Sequence, residues 1–273
     1  MNSNRGSPHA DEIYLYYADL RYYHVKNPET FLSPDESERA ERYRFEADSL
    51  RYVQARCLLR EVLSFYKKCA PGEIIFEYTK HGKPCLKGEP PQGVQFNVSH
   101  SGDMVAVAVS WGRRVGIDIE KIGDDVLESD PSMHFFLDTE IAAIRNSHGR
   151  TKSELFLRIW TRKEALLKAT GDGIGGLSGS PDLSDKGDIS WNGTVWQVHD
   201  FGISPAYIVA LAIEGSGSVV RIERFPAQEI LPSIFPDSEK MIKEGACACR
   251  SVRASGEENA TSASHATISS PMR

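Results

Sequence analysis

At Val94 the apolar residues of this chain change from the three-and-four spacing of a helix to strict alternation, a change that points to an α+β architecture. Upstream, Ser33, Pro34 and Glu36 form the capping signature of a first helix carrying Arg39 and Arg42. A second helix is predicted over residues 48–67, with Leu50, Val53, Cys57, Leu58, Val62 and Phe65 on one side and Pro71-Gly72 as its stop. Short strands are predicted at 13–18 and 74–78, with a turn at His81-Gly82-Lys83-Pro84. From Val94 onward the pattern predicts an antiparallel meander: 94–99, 104–110, a turn at Trp111-Gly112, and a strand from Val115.

That last strand, Val115-Gly116-Ile117-Asp118-Ile119-Glu120, puts three apolar side chains on one face and two carboxylates together on the other. Neighbouring carboxylates repel, and a cation between them relieves the repulsion. An edge strand with a solvated polar face has the same pattern. Farther on, a short helix is predicted at 138–146 and a long one from a Thr151/Glu154 capping box to about residue 169, followed by strands near 194–201, 206–213 and 219–225. This order repeats the grammar of the first part, so two similar α+β halves are expected to face each other, over 12–118 and 119–226. A flexible lead is expected over 1–11. Residues 227–273 lose their periodicity and are expected to form a disordered tail, rich in serine, threonine and alanine from Ser251 onward.

On the long helix Trp160, Glu164 and Lys168 recur every four residues, so Glu164 and Lys168 share a face. A solvated Glu-Lys pair has this spacing, and so has a third carboxylate completing a Mg²⁺ site beside a cation for phosphate oxygens. Phe96-Asn97-Val98-Ser99-His100-Ser101-Gly102-Asp103 places hydroxyls and an imidazole before a glycine turn, where they could donate to an anion, although a lone histidine is more often structural. Arg39, Arg42, Arg44, Arg51, Arg56 and Arg60 suggest a basic patch that would suit a phosphate-rich ligand, or else arginines that are solvated or lie along apolar faces. The glycines of residues 171–176 follow a helix instead of joining a strand to one, which fits a helix stop and not a nucleotide loop.

Bulk properties narrow the partners. A net charge of -6 argues against general binding to nucleic acid or to a membrane surface. Five cysteines without C-x-x-C spacing suggest neither a zinc site nor a disulfide framework. With no apolar run long enough to span a bilayer and no leader, a cytoplasmic protein is expected, and the sequons at Asn97, Asn192 and Asn259 carry no meaning there.

In order, His81-Gly82-Lys83-Pro84, Phe96-Asn97-Val98-Ser99-His100-Ser101-Gly102, the Val115–Glu120 strand and Trp160-Thr161-Arg162-Lys163-Glu164-Ala165-Leu166-Leu167-Lys168 resemble the motif series of the surfactin-synthetase-type 4′-phosphopantetheinyl transferases. The match covers about residues 12–226, with Lys-Glu-Ala standing for the commoner Lys-Glu-Ser. The resemblance implies a monomeric pseudo-dimer with coenzyme A in the cleft between its halves. It implies transfer of 4′-phosphopantetheine to a serine of an apo acyl or peptidyl carrier protein, with release of adenosine 3′,5′-bisphosphate. By position, Asp118, Glu120 and Glu164 are implied as ligands of Mg²⁺ or Mn²⁺, and Lys168 as the pyrophosphate contact. Ser99, His100, Lys83, Pro84, Arg39 and Arg51 are implied as coenzyme contacts, and Glu140 as the base for the incoming serine, a role that Glu164 or a water would also suit. The same groups would serve a Mg²⁺-dependent nucleotide phosphohydrolase, or stand idle in a module that only binds carriers.

Overall fold

The apolar patterns resolve into two four-stranded sheets, each backed by one long helix. In chain order, β1 (Glu12–Asp19) precedes α1 (Pro34–Glu41), α2 (Glu46–Lys67), the hairpin of β2 (Phe76–Tyr78) and β3 (Pro84–Leu86), β4 (Val94–Ser101) and β5 (Met104–Trp111). There follow β6 (Val115–Lys121), α3 (Asp138–Asn146), α4 (Arg150–Thr170), β7 (Gly187–Trp191), β8 (Thr194–Phe201), β9 (Tyr207–Glu214) and β10 (Val219–Arg224). This computed structural model describes residues 11–123, 131–177 and 179–225. The expected lead over 1–11, apart from Asp11, and the expected tail over 227–273 lie outside the described residues.

Alternation along the strands builds three apolar layers. Tyr16, Val98 and Val107 face Cys57, Leu58 and Val62 of α2. The opposite faces of the two sheets meet each other, Leu15, Ala106 and Ala108 against Ile117, Leu211 and Ile213. Trp196, Ala210 and Ala212 then pack on Leu166 and Ala169 of α4. The sheets are therefore back to back with the long helices outside, and each fully buried valine, leucine or isoleucine contributes about 1.5–3 kcal/mol.

The expected meander breaks at its third strand. β4 and β5 pair antiparallel, but β6 leaves that sheet and pairs with β9. The orders are β10-β1-β5-β4 and β6-β9-β8-β7. Among these strands the change of sheet falls at the turn after Trp111, ahead of the expected boundary at 118/119, and β10 returns to lie parallel to β1 in the first sheet.

Three local expectations also change. Lys68, at φ 52° with its N–H bonded to Ser64 O, ends α2 before Pro71-Gly72 is reached. Leu50 is exposed. α4 is capped by Gly149, itself at positive φ, and not by a Thr151/Glu154 box, because Glu154 instead accepts Arg150 Nε at 2.7 Å. Gly171 at φ 79° ends α4, the expected helix stop.

The basic patch is also smaller than expected. Glu36 accepts the Ser33 N–H at 3.0 Å at the start of α1 and is buried, bonded to Arg56 and to Arg60 Nε at 2.7 Å. Burial pushes its carboxyl up, but the two guanidiniums win and hold it below the usual range. Arg56 and Arg60 therefore serve the core and are closed to a ligand.

Candidate active site

Gly116 determines how closely α4 can lie on β6. A Cβ there would stand 2.1 Å from Ala165 O and 2.3 Å from Ala169 N, so helix backbone occupies the space a side chain would need. Ala165 and Ala169 each follow a chemical residue of the helix, Glu164 and Lys168. The close approach thus brings those two side chains beside the carboxylate face of β6, which is an edge strand as its pattern allowed but is covered and not solvated.

From the other half, β4 contributes its polar side. Val94, Phe96 and Val98 face α2, leaving Asn97, Ser99 and Ser101 to meet β6. Asn97 Oδ1 accepts the Ile117 N–H at 2.9 Å, Ser99 Oγ donates to Asp118 Oδ1 at 2.9 Å, and Ser101 Oγ donates to Glu120 Oε2 at 3.0 Å while accepting the Lys121 N–H at 3.1 Å.

Lys168 Nζ closes this arrangement, donating to Asp118 Oδ1 at 2.6 Å and Ser99 Oγ at 2.9 Å. It is bonded to Asp118, which is 3% exposed, and is more than the solvated partner of Glu164. Burial acts to lower the Lys168 pKa, but Asp118 and Glu164 override it and hold the ammonium above its usual value. Burial, with the Asp118 charge second, pushes Glu120 up to about 8. Burial likewise raises Glu164 against the pull of Lys168.

His100 lies beside this cluster among cations. Burial and the charges of Lys168, Arg39 and Arg51 push its imidazole down to about 4, so it is neutral near pH 7. Arg39 lies over the Tyr52 ring at 5.4 Å, and Arg51 bonds Asp103 and Asp48, each at 3.0 Å. The structure thus brings Ser99, His100, Arg39, Arg51, Asp118, Glu120, Glu164 and Lys168 into one neighbourhood.

Two expected residues are used differently. Lys83 Nζ donates to Val115 O at 3.3 Å and Ala169 O at 3.2 Å, tying the turn that ends at Pro84 to the start of β6 and the last turn of α4. Burial and the charge of Arg114 push it down to about 8. Glu140 is sealed at 0% exposure. Its Oε2 lies 3.0 Å from Lys163 Nζ and accepts the Leu137 N–H at 2.8 Å, and its Oε1 accepts the Leu183 N–H at 2.8 Å. A carboxylate so enclosed braces α3 against α4 and, among the described residues, exposes no surface to an incoming hydroxyl. Lys163 and Asn97, two side chains inside the motifs that carried no role in the sequence reading, emerge as buried struts, and only their place next to Glu164 and Ser99 could have signalled it.

The donors fit a hard divalent cation in kind. Among the described residues Asp118 Oδ2 is buried without a hydrogen-bond partner, and Glu120 is raised by burial first and by the Asp118 charge second. Among the described residues, no three histidine, cysteine, aspartate or glutamate side chains stand close enough to hold an ion as placed. As placed, Asp118, Glu120 and Glu164 therefore lie near one another without closing into a three-carboxylate site. Among the described residues no helix is long and apolar enough to cross a membrane.

Comparison with known proteins gives two adjoining matches. Residues 24–112 match the family model of the 4′-phosphopantetheinyl transferase N-terminal region, and residues 114–211 match that of the 4′-phosphopantetheinyl transferase superfamily. Their junction falls at the turn where the chain changes sheets. The chain is 30% identical over 165 residues to 4′-phosphopantetheinyl transferase Sfp of Bacillus subtilis, covering 60% of this chain and 71% of that protein. It is 29% identical over 213 residues to psf-1 of Bacillus pumilus, covering 76% and 89%. It is 39% identical over 147 residues to HetI of Nostoc sp., covering 54% and 62%. The matches span about three fifths of the Nostoc relative and of a Synechocystis relative, 62% and 60% of their lengths. With both models in register on the two halves, and a Bacillus relative matched over more than two thirds of its length, the chain belongs to the 4′-phosphopantetheinyl transferase superfamily.

Proposed function

We propose that this chain transfers the 4′-phosphopantetheine group of coenzyme A to a serine hydroxyl of an apo acyl or peptidyl carrier protein and releases adenosine 3′,5′-bisphosphate. The observation that carries the reading is the Ser99-Lys168-Asp118 triangle where the two halves meet, with Glu120 next to it. Phosphoryl transfer asks the protein for charge neutralisation and positioning more than for covalent work.

In this reading the serine oxygen of the carrier bonds to the phosphorus that bears pantetheine, and the bond from that phosphorus to the oxygen of the departing nucleotide breaks. Lys168 turns from Asp118 toward the pyrophosphate and neutralises the charge growing on the leaving oxygen. Glu164, whose pKa is raised by burial, takes the serine proton, since a carboxylate shifted toward working pH is the better base. His100, Arg39 and Arg51 hold coenzyme phosphates, with the neutral imidazole gaining a proton as the anion arrives. The turn at Lys83 and Pro84 shapes the coenzyme side, its lysine acting through the two carbonyls it ties. A Mg²⁺ or Mn²⁺ ion would be held by Asp118 and Glu120 with the Glu164 carboxylate beside it, and would supply further charge neutralisation at the pyrophosphate. The protein is taken to act as a cytoplasmic monomer.

Incubating the full chain with coenzyme A, Mg²⁺ and an apo carrier tests this by intact mass. Carrier gaining the phosphopantetheine mass supports transfer. Hydrolysed coenzyme with unmodified carrier would establish a phosphohydrolase instead, and complex formation without either product a binding module.

A further inference from the structure

Asn97 and Ser101 lie on either side of Ser99 and His100, and the transfer chemistry uses neither. Both are engaged across the line where the halves meet. β4 and β6 belong to different sheets, yet Asn97 takes the N–H of residue 117 and Ser101 the N–H of residue 121, the same offset of 20 at both points. Two bonds at one offset fix two strands running in the same direction in a single register. Side-chain oxygens do the work that carbonyls do within a sheet. Between the two bonds lie Ser99, Asp118 and the Lys168 ammonium. Asn97 is 4% exposed, so without its amide oxygen the Ile117 N–H would have no water to replace it. Ser101 adds a bond to Glu120 itself, orienting the second carboxylate.

The geometry points to Asn97 and Ser101 as positioning residues that set the register between the halves and thereby place Asp118 and Glu120 for the cation and the pyrophosphate. The inference rests on the transferase reading for its kinetic consequence and on the strand register alone for its binding consequence. A residue that only stabilises the fold would lower the melting temperature and leave the folded fraction fully competent. A register residue alters the site in protein that is still folded.

The full chain, S101A, N97L and N97Q are compared. Ser101→Ala removes two bonds at a half-exposed position and is the variant expected to fold normally. Asn97→Leu keeps the volume without the acceptor, and Asn97→Gln keeps the acceptor one methylene out of place. Mn²⁺ binding is read by electron paramagnetic resonance on folded protein without turnover, and single-turnover transfer is read beside KM for coenzyme A. The expected result is Mn²⁺ affinity at least fivefold weaker in S101A and N97Q, kcat at least tenfold lower in N97Q, and KM for coenzyme A within about twofold of wild type. Wild-type Mn²⁺ affinity in both S101A and N97Q would overturn the inference, even if N97L fails to fold. Wild-type protein that binds Mn²⁺ but modifies no carrier would defeat the transferase reading and leave the register inference to be judged on Mn²⁺ binding alone.

Discussion

Gly116→Ala is the sharpest test of how the site is assembled. The added Cβ would lie 2.1 Å from Ala165 O, 2.3 Å from Ala169 N and 2.9 Å from Ala169 Cα, whereas ordinary contact begins near 3.4 Å. All three atoms are backbone, so no side chain can swing aside, and α4 must lift from β6 by roughly 1.3 Å. Overpacking of this kind costs about 1–3 kcal/mol, or about 2–12 °C of melting temperature at this chain length. The same displacement carries Glu164 and Lys168 away from Asp118, and a misplacement near 1 Å costs about a hundredfold in rate. Gly202→Ala is the control, because its Cβ meets nothing within 4 Å. Thermal unfolding and single-turnover transfer to a carrier are measured on both variants. Gly116→Ala with transfer within about threefold of wild type would refute the claim that this contact sets the helix-strand distance the chemistry needs.

Lys168→Ala is expected to lower kcat about a hundredfold and also to destabilise the fold by about 3 kcal/mol, since it leaves the Asp118 carboxylate buried without its cation. Adding Asp118→Asn should recover the stability seen by thermal unfolding and not the turnover. Arg39→Ala should raise KM for coenzyme A more than for dephospho-coenzyme A, and equal effects in steady-state kinetics would move Arg39 away from the 3′-phosphate. Glu61 is buried with the Tyr23 hydroxyl at 2.8 Å, and burial pushes its carboxyl up to about 7 against that bond. The folded state therefore favours its protonated form, and its contribution to stability is present below about pH 4.5 and lost as pH rises through about 7. Glu61→Gln should remove up to about 3 kcal/mol of that dependence and be the more stable protein at pH 8 by urea titration, and an unchanged slope would locate the titration elsewhere.

The elements were largely legible, because alternation and helical spacing are written into neighbouring residues. Two carboxylates on one face of β6, and Glu164 and Lys168 on one face of α4, followed from period alone. What the chain did not reveal was partnership. A turn at Trp111-Gly112 reads the same whether the next strand joins its predecessor or leaves for another sheet, and β6 leaves. Arginines spaced along α2 read as a ligand patch because the carboxylate that buries Arg56 and Arg60 is 20 and 24 residues away, on another helix. Glu140 matched a motif position, yet its enclosure by Lys163, Leu137 and Leu183 arises only when α3 docks on α4. The Lys168–Asp118 bond spans 50 residues, whereas the i,i+4 pairing with Glu164 was the one that sequence spacing offered.

The parallel seat of β10 beside β1 bears on the order in which the molecule can be completed. Glu12 is registered against Val219 and Tyr17 against Arg224, so the outer strand of the first sheet is drawn from the far end of the described chain. During synthesis β1, β4 and β5 emerge early and pair, but the outer edge of β1 stays open until some two hundred further residues have been made and the second sheet has formed between them. An uncovered strand edge invites pairing with another chain. Closing so long a loop also adds the kind of sequence-distant contact that slows folding. The last strand therefore acts as a clasp: the first half is finished only after the second, and a ribosome stalled before Val219 would hold a sheet with its sticky edge exposed.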